Sequence, residues 1–330
     1  MINRPATVRA FASWVSLAAL LVGAAFARPV LSAEPALQRI RMATVATTDL
    51  AAFERDYSAW LGYEVRERGK VSRELARSWG APAMAGRPYV LMSSNAAPDV
   101  YIRAVRTARI PQDYAPLMTH GWNAIEIIVD NPDVTFANLR GSPFRVIGEP
   151  APLGGYPTIR AFQVIGPSGE VLYLTAETGD RSKSILPQPG GAIGRIFIMV
   201  LAGPDIEALL DFYSGKFDMT RATARKRTVG VIKRAQGLGD DETPLATMRL
   251  AQAGNLVEFD GYSPKAIVRP VMRGELPPGI ALTSFAVKNL DALKLDWISP
   301  PAARQGFAYA GKRSATARGP AGELIELIEE

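Results

Sequence analysis

The stretch Asp49-Leu-Ala-Ala-Phe-Glu-Arg-Asp-Tyr57, running into Trp60-Leu61-Gly62-Tyr63, decides the fold because the chain contains it twice. It returns 156 residues later as Asp205-Ile-Glu-Ala-Leu-Leu-Asp-Phe-Tyr213, running into Lys216-Phe217-Asp218-Met219. Each copy opens on an aspartate, a residue whose side chain caps a helix N-terminus. Phe53, Tyr57, Trp60 and Leu61 then recur at i, i+4, i+7 and i+8, the stripe with which a helix packs on a sheet. Gly62 takes left-handed geometry cheaply and ends the first helix. A second pair of matches closes two later segments: Gly166-Pro-Ser-Gly-Glu-Val-Leu-Tyr-Leu174 and Gly319-Pro-Ala-Gly-Glu-Leu-Ile-Glu-Leu327. Self-similarity at corresponding places points to duplicated units.

Outward from these matches, four segments share one plan of strand, helix and further strands. In the first, β-rich Ile40 to Ala46 precedes the helix Leu50 to Trp60, with strands expected at Tyr63 to Val71, Pro88 to Ser93 and Val100 to Val105. The second has a strand at Asn123 to Val129, a short helix at Val134 to Arg140, and strands at Phe144 to Ile147, Arg160 to Val164 and Val171 to Thr175. Residues 178–194 are polar and rich in Pro and Gly, as a domain linker is. The third restarts with Ile196 to Leu201 and a helix from Asp205 to Phe217; strands are expected at Val229 to Lys233, Leu245 to Ala251 and Leu256 to Phe259. The fourth has a strand at Ala281 to Val287, a short helix at Leu290 to Asp296, and a last strand at Leu324 to Ile328. Two domains, 38–177 and 195–330, are the expectation for a chain of this length.

The strand ending in Asp, the helix with Phe-Tyr and Leu-Gly, and the closing Pro-x-Gly-x-x-x-Glu resemble the vicinal oxygen chelate superfamily of glyoxalases, bleomycin-resistance proteins and extradiol dioxygenases. The likeness covers roughly residues 38 to 330. It implies an α+β fold of four βαβββ modules, paired into two cupped half-barrel domains as a tandem repeat. It also implies positions for metal ligands at module openings (Met42, Asn123, Ile198 or Phe197, and Leu282) and closings (near Tyr101, and at Tyr173, Glu258 and Glu326). The imidazoles that dioxygenases of the family use are replaced by hydrocarbon at Ile198 and Leu282, so extradiol chemistry is not expected. Glu258 and Glu326 together would offer a divalent cation only part of an oxygen shell.

Composition narrows the chemistry further. The chain has one histidine, His120, and no cysteine, which removes imidazole-rich metal sites, disulfides and cysteine nucleophiles. No phosphate-binding glycine loop or Gly-x-Ser-x-Gly elbow is present. The net charge of +6 gathers partly between Arg221 and Lys233. This cluster has no interleaved aromatics for stacking bases, so no nucleic-acid partner is expected. Arg4 and Arg9 precede the apolar run Phe11 to Ala27, the pattern of a secretory signal. Residues 1–33 are read as that signal, the mature protein as periplasmic or secreted, with no stable membrane insertion after cleavage; oligomeric state stays open.

The expected activity is binding of a small aromatic or apolar molecule without metal or other cofactor, with metal-free lyase or isomerase chemistry as an extension. A metal-assisted lyase using Glu258 and Glu326, and a non-catalytic scaffold, are the alternatives. His120, Tyr173 and Glu326 are the candidate proton-moving groups. Met42, Tyr101, Arg103, Trp122, Asn123 and Glu258 are the candidate ligand contacts, and no residue is assigned to a metal.

Overall fold

Residues 34–330 are described by a computed structural model; the expected export signal at 1–33 lies outside them. The first module runs β1 (Leu37–Thr47), α1 (Leu50–Leu61), β2 (Tyr63–Lys70), α2 (Arg73–Ser78), β3 (Pro88–Ser94) and β4 (Tyr101–Arg106). The second runs β5 (Gly121–Val129), α3 (Pro132–Asn138), β6 (Arg145–Leu153), β7 (Tyr156–Ile165) and β8 (Val171–Glu177). The third has β9 (Ile193–Gly203), α4 (Ile206–Phe217), β10 (Arg225–Arg227), α5 (Gly230–Gln236), β11 (Thr243–Arg249) and β12 (Leu256–Gly261). The fourth has only strands: β13 (Gly279–Val287), β14 (Ala302–Ala303), β15 (Arg313–Arg318) and β16 (Leu324–Glu329).

The repeated helices form for the reasons their sequence gives. Asp49 accepts the Ala52 N–H at 2.9 Å, and Asp205 accepts that of Ala208 at 3.1 Å. α1 ends at Gly62 and α4 at Asp218, both left-handed, so aspartate fills in one copy the place of glycine in the other. Two local expectations fail. Val229 to Lys233 is not a strand but the start of α5, where Val231 and Ile232 face inward and Lys233 and Arg234 suit the C-terminal dipole end. Leu290 to Asp296 is not a helix: Asn289 accepts the Asp291 N–H in a local turn, and Leu293, Leu295 and Trp297 pack against the core from extended chain.

Pairing departs from sequence order. One eight-stranded sheet reads β14-β15-β16-β13-β1-β4-β3-β2, and the other reads β10-β11-β12-β9-β5-β8-β7-β6. The first and fourth modules therefore make one cup, and the second and third make the other. The joins are antiparallel, β1 with β13 and β5 with β9. The expected division at 178–194 is corrected accordingly. That segment links two modules of the same sheet, its end belongs to β9, Arg181 ties it to Asp130, and Leu186 is buried in the second cup.

One core lies between the sheets. It takes Ala43 and Val45 of β1, Phe285 of β13, Trp122 and Ile125 of β5, Met199 of β9, and the apolar faces of α1 and α4. Trp122 meets Phe285 across the sheets at 5.9 Å. Each repeated tyrosine reaches over to the other sheet: Tyr57 donates to Glu170 at 2.9 Å and Tyr213 to Glu323 at 3.2 Å. These glutamates belong to the two matching closing turns, which places one inter-sheet clasp at each end of the core. The cupped faces point away from it and carry separate apolar clusters.

Candidate functional site

Alternation along the strands fixes what each cup contains, because every second residue faces inward. In each module the opening strand runs parallel to the closing strand, and register sets Thr44 beside Arg103, Glu126 beside Tyr173, Val200 beside Glu258, and Ser284 beside Glu326. The sequence-derived opening positions Met42, Ile198 and Leu282 lie two residues from this set, and Tyr101 lies two before Arg103. The offset is uniform in these three modules: Thr44, Val200 and Ser284 each stand five residues before Asp49, Asp205 and Asn289.

The cup of modules one and four is filled. Arg103 donates to Thr44 at 2.9 and 3.1 Å and to the Tyr309 hydroxyl at 2.7 Å, lies 3.5 Å from Glu326, and stacks over Trp79 at 4.6 Å. Glu326 accepts from the Trp79 indole at 2.9 Å, from Tyr309 at 2.8 Å and from Ser284 at 2.6 Å. Both partners of this ion pair are buried, Glu326 completely. Met42 and Leu282 pack around them with Trp79, Met84 and Leu324, and the ring of Tyr101 sits at the rim under Arg41. A guanidinium within the donor set and a carboxylate with its oxygens taken up do not fit a metal ion. Met42, Tyr101, Arg103 and Glu326 thus build an internal plug.

The cup of modules two and three differs. Its floor carries Glu126, Tyr173, Glu258 and Asp260, with Thr175 donating to Glu126. Asp260 is fully buried with neither oxygen hydrogen-bonded, and the hydroxyls of Tyr173 and Tyr262 are buried without partners. Burial, then the neighbouring carboxylates, pushes Glu258 and Asp260 well up from the usual carboxylate range. Glu126 rises through burial. Both phenols stay protonated, raised by burial and by these acids. Glu258 keeps some solvent contact in the middle of an otherwise buried strand.

Both cups are covered. Over the first cup lie α2, Trp79 and the Ala308–Tyr309 segment. Over the second lie α5, Leu117, Leu186, Tyr262 and Ala266, held together by Gln236, which donates to Leu117 O and accepts from Ser263. Module two adds only the exposed Gly154-Gly155 turn between β6 and β7.

The remaining expected site residues lie elsewhere. Trp122 faces the inter-sheet core and donates to Leu324 O at 2.8 Å. Asn123 sits in a bulge and spends its amide on Thr119 O and Gly121 O, at 2.7 and 2.8 Å. Neither side chain faces a cup. His120 is half-buried in the loop before β5; its Nε2 lacks a partner, and burial and Arg269 push its pKa down. Glu258 and Glu326 occupy different sheets, so they cannot share one ion. Tyr173 and Glu258 do come together. Sequence reasoning missed Glu126, Asp260 and Tyr262, although one signal was present: a lone glutamate in Trp122 to Val129, and Glu258, Asp260 and Tyr262 on one face of an alternating run. Two surface clefts, of 560 and 610 Å³, lie outside both cups, beside Glu54 and Arg106 and beside Trp60 and Asn131 respectively.

The four paired register positions of the second cup hold two carboxylates, a phenol held protonated, and the hydrocarbon of Val200. Among the described residues no three His, Cys, Asp or Glu are arranged to hold a metal ion. This donor set does not fit a chelated transition metal.

Glyoxalase I from Zea mays superposes with a TM-score of 0.58 at 13% identity, covering 88% of this chain and 92% of that one. A putative dioxygenase from Bacillus subtilis superposes with a TM-score of 0.57 at 12% identity, covering 90% and 86%. No family model matches the sequence, and no curated protein does. The likeness is one of fold: two mixed eight-stranded sheets with the vicinal oxygen chelate architecture.

Proposed function

We propose that this chain of glyoxalase-like fold is an exported small-molecule-binding protein whose working pocket is the cup of modules two and three. The cup of modules one and four is its structural counterpart. The observation that carries the reading is the set of unpartnered polar groups in one cup: both oxygens of Asp260 and the Tyr173 hydroxyl on its floor, and the Tyr262 hydroxyl in its cover. Buried polar groups without partners cost free energy, and a guest that hydrogen-bonds to them offsets that cost. The apolar walls from Phe197, Ile198, Val231 and Leu256 suit a partly apolar body.

The chemistry such a pocket supports is proton transfer. Tyr173 and Tyr262 remain hydrogen-bond donors, and they polarise an oxygen of the guest. Glu258, whose pKa burial and the carboxyls of Asp260 and Glu126 push up, takes up or returns a proton. This is lyase or isomerase chemistry without a metal-bound intermediate. For export, the support is the run from Arg4 to Ala27. Among the described residues no helix is long and apolar enough to cross a membrane.

A fragment screen observed by NMR on the mature protein tests the reading. Small aromatic ligands should perturb β5, β8 and β12, and Tyr173→Phe and Glu258→Gln should weaken them while Arg103→Met does not. Ligands that collect only in the two surface clefts, or in the cup of Arg103, would remove the proposal. Exchange of a bound ligand's acidic C–H in D2O, lost in Glu258→Gln, is the readout for proton transfer.

A further inference from the structure

Each cup carries carboxylate on its floor, but only one carries a cation. In the first, Glu326 is met by Arg103, whose guanidinium lies over the Trp79 ring and donates to the phenol oxygen of Tyr309. The register position of Arg103, beside the opening strand of its module, is filled in the second module by Tyr173. The second cup holds three carboxyl groups, Glu126, Glu258 and Asp260, and no ion pair among the described residues involves any of them, whereas Glu326 has one. The nearby basic side chains are turned to other partners. Arg269 donates to Thr119, Trp122 O and Ile280 O; Arg234 to Ile147 O; Lys265 to Gly237 O; Lys233 pairs with Asp240.

We infer that the guest of the second cup is an organic cation: an ammonium or guanidinium group on a small apolar body, seated among Glu126, Glu258 and Asp260 with Tyr173 and Tyr262 beside it. The filled cup shows the arrangement from within the same chain, with a cation against an aromatic face, a carboxylate and a phenol oxygen. Aromatic faces and carboxylates both favour a positive charge in a desolvated site. A guest cation would meet Asp260, whose two oxygens have no partner, and accept the company of two phenol oxygens that are also free. The apolar walls describe the remainder of the molecule. A bare metal ion is the poorer match, because it needs oxygens converging at about 2.0–2.6 Å, and among the described residues no three acidic groups are spaced to hold one.

This inference rests on the second cup being the pocket, and matched probes separate the two claims. Benzylamine, benzyl alcohol and benzoate have similar shape and carry positive, no and negative charge at pH 7. Calorimetric titration at low salt, with NMR shifts of β5, β8 and β12 to locate the site, should show benzylamine binding at least ten-fold tighter than benzyl alcohol, and no benzoate binding. Glu258→Gln and Asp260→Asn should each erase most of that preference by weakening benzylamine at least ten-fold more than benzyl alcohol. Equal binding of amine and alcohol in the cup overturns the cation inference and leaves the pocket standing. Absence of every probe from the cup at millimolar concentration overturns both. Stoichiometric Mn²⁺ or Ca²⁺ uptake that excludes benzylamine overturns the organic cation in favour of a metal.

Discussion

Arg103 of the first module and Glu326 of the fourth stand 3.5 Å apart inside one cup, although 223 positions separate them in sequence. Two desolvated charges hold only while both are present and their other hydrogen bonds are satisfied. Removing one leaves its partner buried alone. Arg103→Met and Glu326→Gln should each cost about 3–5 kcal/mol in urea unfolding, and the double variant should recover part of that loss. A double variant as unstable as the sum of the two would show the pair is not the unit.

Asp260 and Tyr173 behave in the opposite sense, since no partner depends on them. Asp260→Asn should raise the melting temperature at pH 8 and change it least below pH 3.8, because a raised folded-state pKa is a stability loss that grows as pH climbs from 3.8 to about 7. Tyr173→Phe removes an unsatisfied buried hydroxyl and should leave stability level or higher by about 1 kcal/mol. Both should weaken ligand, the trade expected where a site holds unmet polar groups. Clear destabilisation by Tyr173→Phe would indicate a hydrogen-bond partner for that hydroxyl.

The two clasp glutamates give the protein a pH slope. Burial pushes Glu170 and Glu323 up to about 7 against an ordinary value of 4.5. Below the ordinary value both states hold the proton and the stabilisation is whole; it fades as pH rises through 7 and the folded state must ionise buried carboxyls. At roughly 1.4 kcal/mol per pKa unit, each contributes a loss of about 3 kcal/mol across that window. Melting temperature should therefore fall between pH 5 and pH 8, and Glu170→Gln with Glu323→Gln should flatten the slope. The slope should not vanish, because Glu126, Glu258 and Asp260 act in the same direction.

Cutting the chain at its linker should not yield two folded halves. A fragment of residues 34–192 would hold β1 without β13 and β5 without β9, and would strand Trp122, whose indole donates to Leu324 O, at a missing interface. Neither fragment alone should show dispersed amide resonances, while the two mixed should recover them. A well-folded 34–192 fragment would contradict the pairing.

Much of the fold is legible in local sequence. Asp49 and Asp205 announce their helices, and Glu170 and Glu323 mark equivalent turns, because caps and turns depend on residues close in the chain. Module pairing is not legible. Nothing in the composition of β1 distinguishes β13 from β5 as its neighbour, since strand pairing is chosen by the packing of faces remote in sequence. The short segments at Val231 and Leu290 fail for a related reason, as tertiary burial outweighs weak local propensity there.

The site was half legible. Tyr173 and Glu258 follow from counting three residues past Glu170 and past its counterpart Asn255. The opening positions were set two residues early along β1 and three early along β5, so Met42 and Asn123 stood in for Thr44 and Glu126. The split of Glu258 and Glu326 between sheets followed from the pairing, which the sequence withholds. Arg103 read as a ligand contact because its partner Glu326 lies in another module.

β1 lies between β4 and β13, and the second neighbour is made more than 200 residues after the first strand. Until the ribosome has delivered the fourth module, one backbone edge of β1 stays bare in the nascent chain, open to any other extended segment. Assembly must therefore finish with its longest loop closure, which slows folding and lengthens exposure to aggregation. Chaperone demand should be set by this last seam rather than by any single module.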